Sequence, residues 1–247
     1  RMPELLAHAS FVRFWCARVA AVAGTQMLML TIGWHMYELT SSAWDLGLVG
    51  LFQFIPALLV TLPAGHVVDR FHRGRIYALC MLAQALVAAL LVGATQGQFA
   101  TRELLFLVSI VLGTARAFQM PAQQALTPLL VPQRLLSRAV ALSSSSVQLG
   151  VIAGPALGGL LFAYGTTTVY AVCTTMLLLA GVMTLFVHYT HKPPTQAPSF
   201  QSFVAGLVFV WRHKVLLGAT TLDMFAVLLG GAVALLPIYA RDILHVG

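Results

Sequence analysis

Apolar residues run almost unbroken along this chain, and its few charged residues gather in clusters between the runs. Residues 19–37 are uncharged, with Phe11 to Arg18 leading in. Uncharged stretches follow at 46–68 and 76–101, and then comes 104–122, which holds the single charge Arg116. Residues 139–191 carry no charge at all. That is too long for one bilayer crossing, and Gly165-Thr166-Thr167-Thr168 is the natural break within it. A last stretch, Leu216 to Ile238, is interrupted by Asp223 alone. About 20 apolar residues at about 1.5 Å each span the hydrocarbon of a bilayer. The pattern therefore predicts seven crossing helices. Barrel strands would alternate polar and apolar positions, which these runs do not.

Composition narrows the class. Apolar residues make up 59% of the 247 and charged residues 9%, where a soluble domain carries about 25% charged. Mean hydropathy is +0.88. A soluble globular enzyme, a disordered chain and a coiled coil are excluded, and an all-α integral membrane protein remains. The bilayer is thus the first expected partner. Cys16, Cys80 and Cys173 lie far apart in apolar runs, a placement that suggests neither a disulfide framework nor a metal site.

The net charge of +7 does not point to nucleic acid, because the basic residues form no single patch. They occupy every second loop: Arg70, Arg73 and Arg75; Arg134 and Arg138; Lys192, Arg212 and Lys214; with Arg1 and Arg13 at the start. The alternate loops hold Arg102 and Arg241 beside Glu38, Asp45, Glu103 and Asp242. By the positive-inside rule the N-terminus is expected in the cytoplasm. Arg18 is expected to snorkel toward that side, and Glu38 and Asp45 to be solvated. Residues 191–215 read as a linker: a Pro-rich polar start, then a short helix at the membrane surface anchored by Trp211. Three parts follow: a six-helix half over 1–190, this linker, and one further helix in 216–247.

Three local patterns carry chemistry. Gly65-His66-Val67-Val68-Asp69-Arg70-Phe71-His72-Arg73-Gly74-Arg75 joins the second and third spans. There Gly65 would permit close helix approach, Asp69 would hold a partner helix, and the arginines would fix the loop's side. In the fifth span Gly150, Gly154 and Gly158 recur every four residues on one face, with Pro155 and Gly159 beside them. In the fourth, Arg116 and Gln119 precede Met120-Pro121. A charge at mid-span is costly and is a functional hypothesis by default, and Pro121 with Pro128 suggests a bent or broken helix end. Asp223 is a further candidate for handling a proton. Gln26, Trp34, Gln53 and Gln148 could line a substrate path, while Gln84 reads as peripheral packing and His35 as a packed polar group. The sequence contains no phosphate-binding Gly-rich loop ending in Lys-Ser/Thr, no His/Cys cluster and no nucleophile elbow. ATP, a metal and enzymatic chemistry are therefore not expected, and an ion gradient is.

The first pattern resembles the signature loop of the major facilitator superfamily, Gly-x-x-x-Asp-Arg-x-x-Arg-Arg, with Gly74 in place of one basic residue. The second is similar to that superfamily's antiporter motif, Gly-x-x-x-Gly-Pro-x-x-Gly-Gly, at every position. Arg116 and Gln119 match Arg-x-x-Gln-Gly, with Met120 replacing the glycine. Tyr37 to Trp44 and Pro121 to Ala125 look most like the siderophore-exporter, or transmembrane secretion effector, branch. The resemblance implies a six-helix bundle plus one further transmembrane helix of a twelve-helix transporter, here truncated, so that the missing C-terminal half would be required for transport. It further implies a gate latch at Gly65, Asp69, Arg70, Arg73 and Arg75, a role for Arg116 in proton coupling, and export by alternating access of a drug, siderophore or similar metabolite. It also implies residence in a bacterial cytoplasmic membrane. A lipid flippase, a transporter half fused to lipid-modifying chemistry, and a non-transporting fragment are the alternatives.

Overall fold

A computed structural model describes residues 9–187, 208–209 and 211–229, and every regular element among them is helical. The chain divides into two compact units, Arg1–Lys192 and Pro193–Gly247.

The first unit holds six long helices: α1 Ala9–Thr40, α2 Ala43–Arg70, α3 Arg73–Gln96, α4 Arg102–Leu126, α5 Leu136–Phe162 and α6 Thr166–Leu185. Short polar residues set their starts. Ser42 Oγ accepts from Asp45 N at 3.3 Å at the head of α2, and Thr101 Oγ1 accepts from Leu104 N at 3.3 Å at the head of α4. Gly165, at φ +95°, makes the break between α5 and α6, a backbone conformation that disfavours a side chain. Two expected boundaries move. The third span stops at Gln96 rather than 101, because Gly97 caps the helix and Gln98 turns through φ 55°. Pro121 does not break α4. The helix runs on to Leu126, and the two 3-10 turns Thr127–Leu129 and Gln133–Leu135 carry the chain into α5.

Helix packing follows a simple rule. α3 packs on α6, α2 on α4, α1 on α5 and α6, and α3 on α4. Exchanging α1 with α4, α2 with α5 and α3 with α6 maps this set of pairs onto itself. That is the signature of two three-helix repeats related by an approximate two-fold axis. Between the helices lie Phe14, Met27, Ile32, Tyr77, Leu112 and Tyr170, all nearly or fully buried. On the outside Phe54, Leu59, Leu86 and Leu160 are each at least 60% exposed. Apolar side chains on the outward faces of α2 to α6 suit lipid, and among the described residues six helices are long and apolar enough to cross a membrane. The chain is an integral membrane protein.

Lipid gives no hydrophobic drive between helices, so close backbone approach and interhelical hydrogen bonds must hold the bundle. Both are present. A Cβ on Gly154 would stand 2.6 Å from Ala23 O, one on Gly150 2.6 Å from the Val22 side chain, and one on Gly158 3.0 Å from Met27 Cγ. The α5 glycines are therefore the seam against α1. Gly113 of α4 is tighter still, its Cβ position lying 2.1 Å from the Gln53 carbonyl oxygen of α2. Gly65 differs from the expectation of close approach: no heavy atom lies within 4 Å of its Cβ position. Gly159 is likewise open. Hydrogen bonds between helices include Trp15 Nε1 to Leu142 O at 2.8 Å, His35 Nδ1 with Tyr170 OH at 3.1 Å, and Thr167 Oγ1 to Thr95 Oγ1 at 3.0 Å.

In the second unit, α7 covers Lys214–Leu229 and its Asp223 is exposed. The Pro-rich stretch and most of the expected surface helix lie outside the described residues, as does the rest of the last span from residue 230. Trp211 and Arg212 are helical and exposed.

Candidate functional site

A pocket of about 120 Å³ opens between α1, α4 and α5. From α1 come Val22, Thr25 and Gln26; from α4, Arg116, Gln119, Met120 and Gln123; from α5, Val147 and Val151. The α-helical repeat explains the α4 contribution. Residues 116, 119, 120 and 123 recur at three- and four-residue intervals and so share one face. That face continues the stripe through Leu105 and Leu112, which is buried. The glycine seam controls the third wall, since Gly150 and Gly154 set how near α5 stands to α1.

Arg116 is exposed beside this pocket, and its Nη1 reaches Met29 Sδ at 3.4 Å, a weak acceptor. Among the described residues no carboxylate lies within ion-pairing distance of it. The described acidic groups of the first unit sit at helix ends and are engaged elsewhere or exposed. Asp69 pairs with Arg73 at 3.0 Å, Asp45 with Arg102, and Glu38 accepts from Trp34 Nε1 at 3.1 Å, while Glu103 is exposed at the start of α4.

Behind the pocket lies a buried polar chain. Thr25 Oγ1 donates to Gln84 Oε1 at 2.9 Å, and Gln84 Nε2 donates to Gln119 Oε1 at 2.8 Å. Gln84 is 1% exposed, so it is central to three helices rather than peripheral packing. A second chain starts at Arg18, which does not snorkel: it is 7% exposed. Its Nη1 donates to Thr127 Oγ1 at 3.3 Å, and Thr127 shares a hydrogen bond with Ser143 Oγ at 3.3 Å. In the amide orientation that satisfies both groups, Gln123 Oε1 accepts from Arg18 Nε and Nη2 at 2.9 Å each. Those inward acceptors are what keep Arg18 from reaching for water. The Tyr77 hydroxyl, also fully buried, lies beside the Gln119 side chain.

The other sequence candidates scatter. Gln26 and Gln119 line the pocket with Arg116; Trp34, Gln53 and Gln148 do not. Trp34 stacks edge-on against Phe162 at 5.4 Å, Gln53 presents its backbone to Gly113, and Gln148 is exposed on α5. Pro155 is also exposed. In the α2–α3 turn, Arg73 bonds Asp69 and reaches Ala125 O at 3.5 Å, tying the turn to the end of α4, while Arg70 and Arg75 are exposed. Sequence reasoning missed Gly113, Gln123 and the second-chain partners Thr127 and Ser143.

Asp45 is the last correction. It is 7% exposed rather than solvated, and it holds Arg102, which also stacks over Phe106 at 5.2 Å. The pair fastens the heads of α2 and α4. Because the Arg102 side chain is 45% exposed and Asp45 only 9%, the two truncations should differ. Arg102→Ala strands a buried carboxylate and is expected to cost about 3 kcal/mol. Asp45→Ala leaves an arginine that can turn to water and should cost about 1 kcal/mol. Thermal melts of the two variants and the double variant in detergent check the asymmetry; equal losses would refute it.

Comparison with known proteins agrees with this architecture. The family model described as Major Facilitator Superfamily matches residues 14–247, and the chain belongs to that superfamily. It is 28% identical over 243 residues to the multidrug efflux pump Tap of Mycobacterium tuberculosis, covering 92% of this chain and 57% of that protein. It is 30% identical over 155 residues to macrolide efflux protein A of Streptococcus pyogenes, covering 62% of this chain and 38% of that protein. The staphyloferrin A transporter of Staphylococcus aureus is 23% identical over 178 residues, 71% of this chain and 45% of that protein. The chain spans about half the length of the curated relatives it matches.

Proposed function

We propose that this chain is part of a proton-coupled exporter of small amphipathic molecules, a drug, siderophore or similar metabolite. It works by alternating access against a second helical half. The observation that carries the reading is Arg116: a guanidinium at mid-span, exposed beside a pocket, with no carboxylate next to it among the described residues. A cation so placed changes its interaction energy whenever a proton or an anion arrives or leaves, which is what coupling requires. Asp223 is the candidate proton carrier on α7. Two relatives named as efflux proteins, macrolide efflux protein A and the multidrug efflux pump Tap, support export over uptake. The turn at Asp69, Arg70, Arg73 and Arg75 acts as the inner latch, and the energy is a proton gradient with no bound cofactor. The membrane is the bacterial cytoplasmic membrane, with the N-terminus inside, as the basic loops favour.

The test is proton-driven efflux by the whole protein in everted vesicles. Arg116→Ala is expected to reduce gradient-driven efflux at least about tenfold, a loss of about 1.4 kcal/mol or more in the coupling step. Transport that keeps its full dependence on the proton gradient in that variant would refute the assigned role.

A further inference from the structure

The end of α4 is held by side chains where its backbone ladder is weakest. Pro121 and Pro128 carry no N–H, so the carbonyls of Ala117 and Gln124 lack the donor four residues on. Helical geometry continues through Pro121 to Leu126, but the segment 121–127 is released from the ladder at both ends. Two arginines hold it instead. Arg18 of α1 donates from Nε and Nη2 to Gln123 Oε1 at 2.9 Å each, and from Nη1 to Thr127 Oγ1 at 3.3 Å. Arg73 of the α2–α3 turn donates from Nη1 to Ala125 O at 3.5 Å, while its Nη2 holds Asp69 at 3.0 Å. Neither hold is the cheapest for stability alone. Arg18 is buried on neutral acceptors and forms no ion pair among the described residues, where an apolar side chain would avoid the cost of burying a charge. Arg73 Nε is buried without a hydrogen-bond partner among the described residues. The segment also joins two places that matter. Gln123 is a wall residue of the pocket, and Arg73 belongs to the turn.

We infer that residues 121–127 form a coupling segment between the pocket and the α2–α3 turn, free at Pro121 and Pro128 to shift as a unit, and that Arg18 is the positioning residue that seats it. The inference rests on the transport reading above and concerns how the pocket and the inner latch of that reading communicate. Gln123 and Ala125 lie two residues apart, about 3 Å along the helix axis, so a shift at the pocket wall moves the carbonyl that Arg73 holds. Arg73 divides its guanidinium between that carbonyl and Asp69. Moving the carbonyl therefore changes the hold on Asp69 and with it the turn.

The experiment follows amide hydrogen exchange and melting of the whole protein in lipid nanodiscs. Arg18→Met removes the guanidinium without leaving a buried charge. Exchange at residues 122–130 is expected to rise at least about fivefold. Exchange in the turn, residues 69–75, should rise with it, while the α3–α6 contact keeps its wild-type protection. Tyr77 of α3 also stands near Arg18, which offers a direct route to the turn, and Pro121→Ala separates the two routes. That variant returns a donor to Ala117 O, so its melting temperature should equal or exceed the wild type. In its background Arg18→Met should leave turn exchange at the wild-type level. Efflux by Pro121→Ala alone should fall at least about tenfold, a loss that added stability cannot explain. Should Arg18→Met not fold, Thr127→Val removes one of its acceptors at similar volume and should give the same pattern in smaller measure. Loosening of the segment without the turn overturns the proposal. So do uniform loosening of the whole unit, a turn that still responds in the Pro121→Ala background, and full efflux by Pro121→Ala. The two readings fail separately. Gradient-driven efflux with no transmission to the turn sinks the coupling segment and leaves the exporter, whereas transmission without gradient-driven efflux in the wild type sinks the exporter and leaves the segment.

Discussion

Alanine at position 113 is expected to destabilise the bundle more than any other single methyl group added at the described glycines. Its Cβ would lie 2.1 Å from the Gln53 oxygen, 2.9 Å from the Gln53 carbonyl carbon and 3.0 Å from its Cα. These are backbone atoms of α2, so no rotamer change relieves the overlap; the two helices must separate. Separation is costly here because α2 and α4 form one of the main pairs of the unit, and in lipid their attraction comes from close contact itself. A loss of about 4 kcal/mol or more is expected, read as poor yield of monodisperse protein in detergent and a sharply lowered melting temperature. Gly65→Ala is the control. With nothing within 4 Å of that position, its melting temperature should match the wild type. A Gly113→Ala protein as stable as Gly65→Ala would refute the account of how α2 and α4 are held.

What the sequence disclosed and what it withheld divide along physical lines. The spans were legible because a bilayer forces long charge-free helices, and α1 to α6 fall on the expected runs. The Gly150, Gly154 and Gly158 face was legible because a four-residue period fixes a helix face without knowledge of the partner. Arg116 was legible because a charge at mid-span is expensive anywhere. Gly113 was not, since a lone glycine has no period and its partner Gln53 lies on another helix, 60 residues back. The Asp45–Arg102 pair, whose members are 57 positions apart, likewise depends on which helices are neighbours. Arg18 and Gln84 show the same limit from another side. Depth along a helix can be counted in sequence, but azimuth toward lipid or toward Gln123 and Gln119 cannot be assigned until the packing is known. A polar amide alone among apolar residues of α3 was the available signal for Gln84, and it pointed to burial rather than to the periphery.

The glycines of α5 give the second large effect, and a graded one within a single motif. Gly154→Ala places a methyl 2.6 Å from the Ala23 oxygen and 2.9 Å from Gln26 Cβ; Gly150→Ala meets the β-branched Val22 at 2.6 Å and Ala23 N at 2.9 Å. Both sets include backbone or stiff groups, and a cost of about 3 kcal/mol is expected for each. Gly158→Ala meets the Met27 side chain at 3.0 Å. Methionine can bend away, so a cost of about 1 kcal/mol is expected. Gly159→Ala meets nothing and should be neutral in stability. The functional order should follow from the same geometry. Pushing α5 off α1 at Gly150 or Gly154 carries Val147 and Val151 outward and shifts Gln26, which opens the pocket wall around Arg116. Efflux by the whole protein should therefore fall in the order Gly154→Ala and Gly150→Ala, then Gly158→Ala, with Gly159→Ala at wild-type level. If Gly159→Ala abolishes efflux while its melting temperature stays unchanged, the motif acts through contacts other than the α1–α5 seam, and the seam cannot be what makes its glycines necessary.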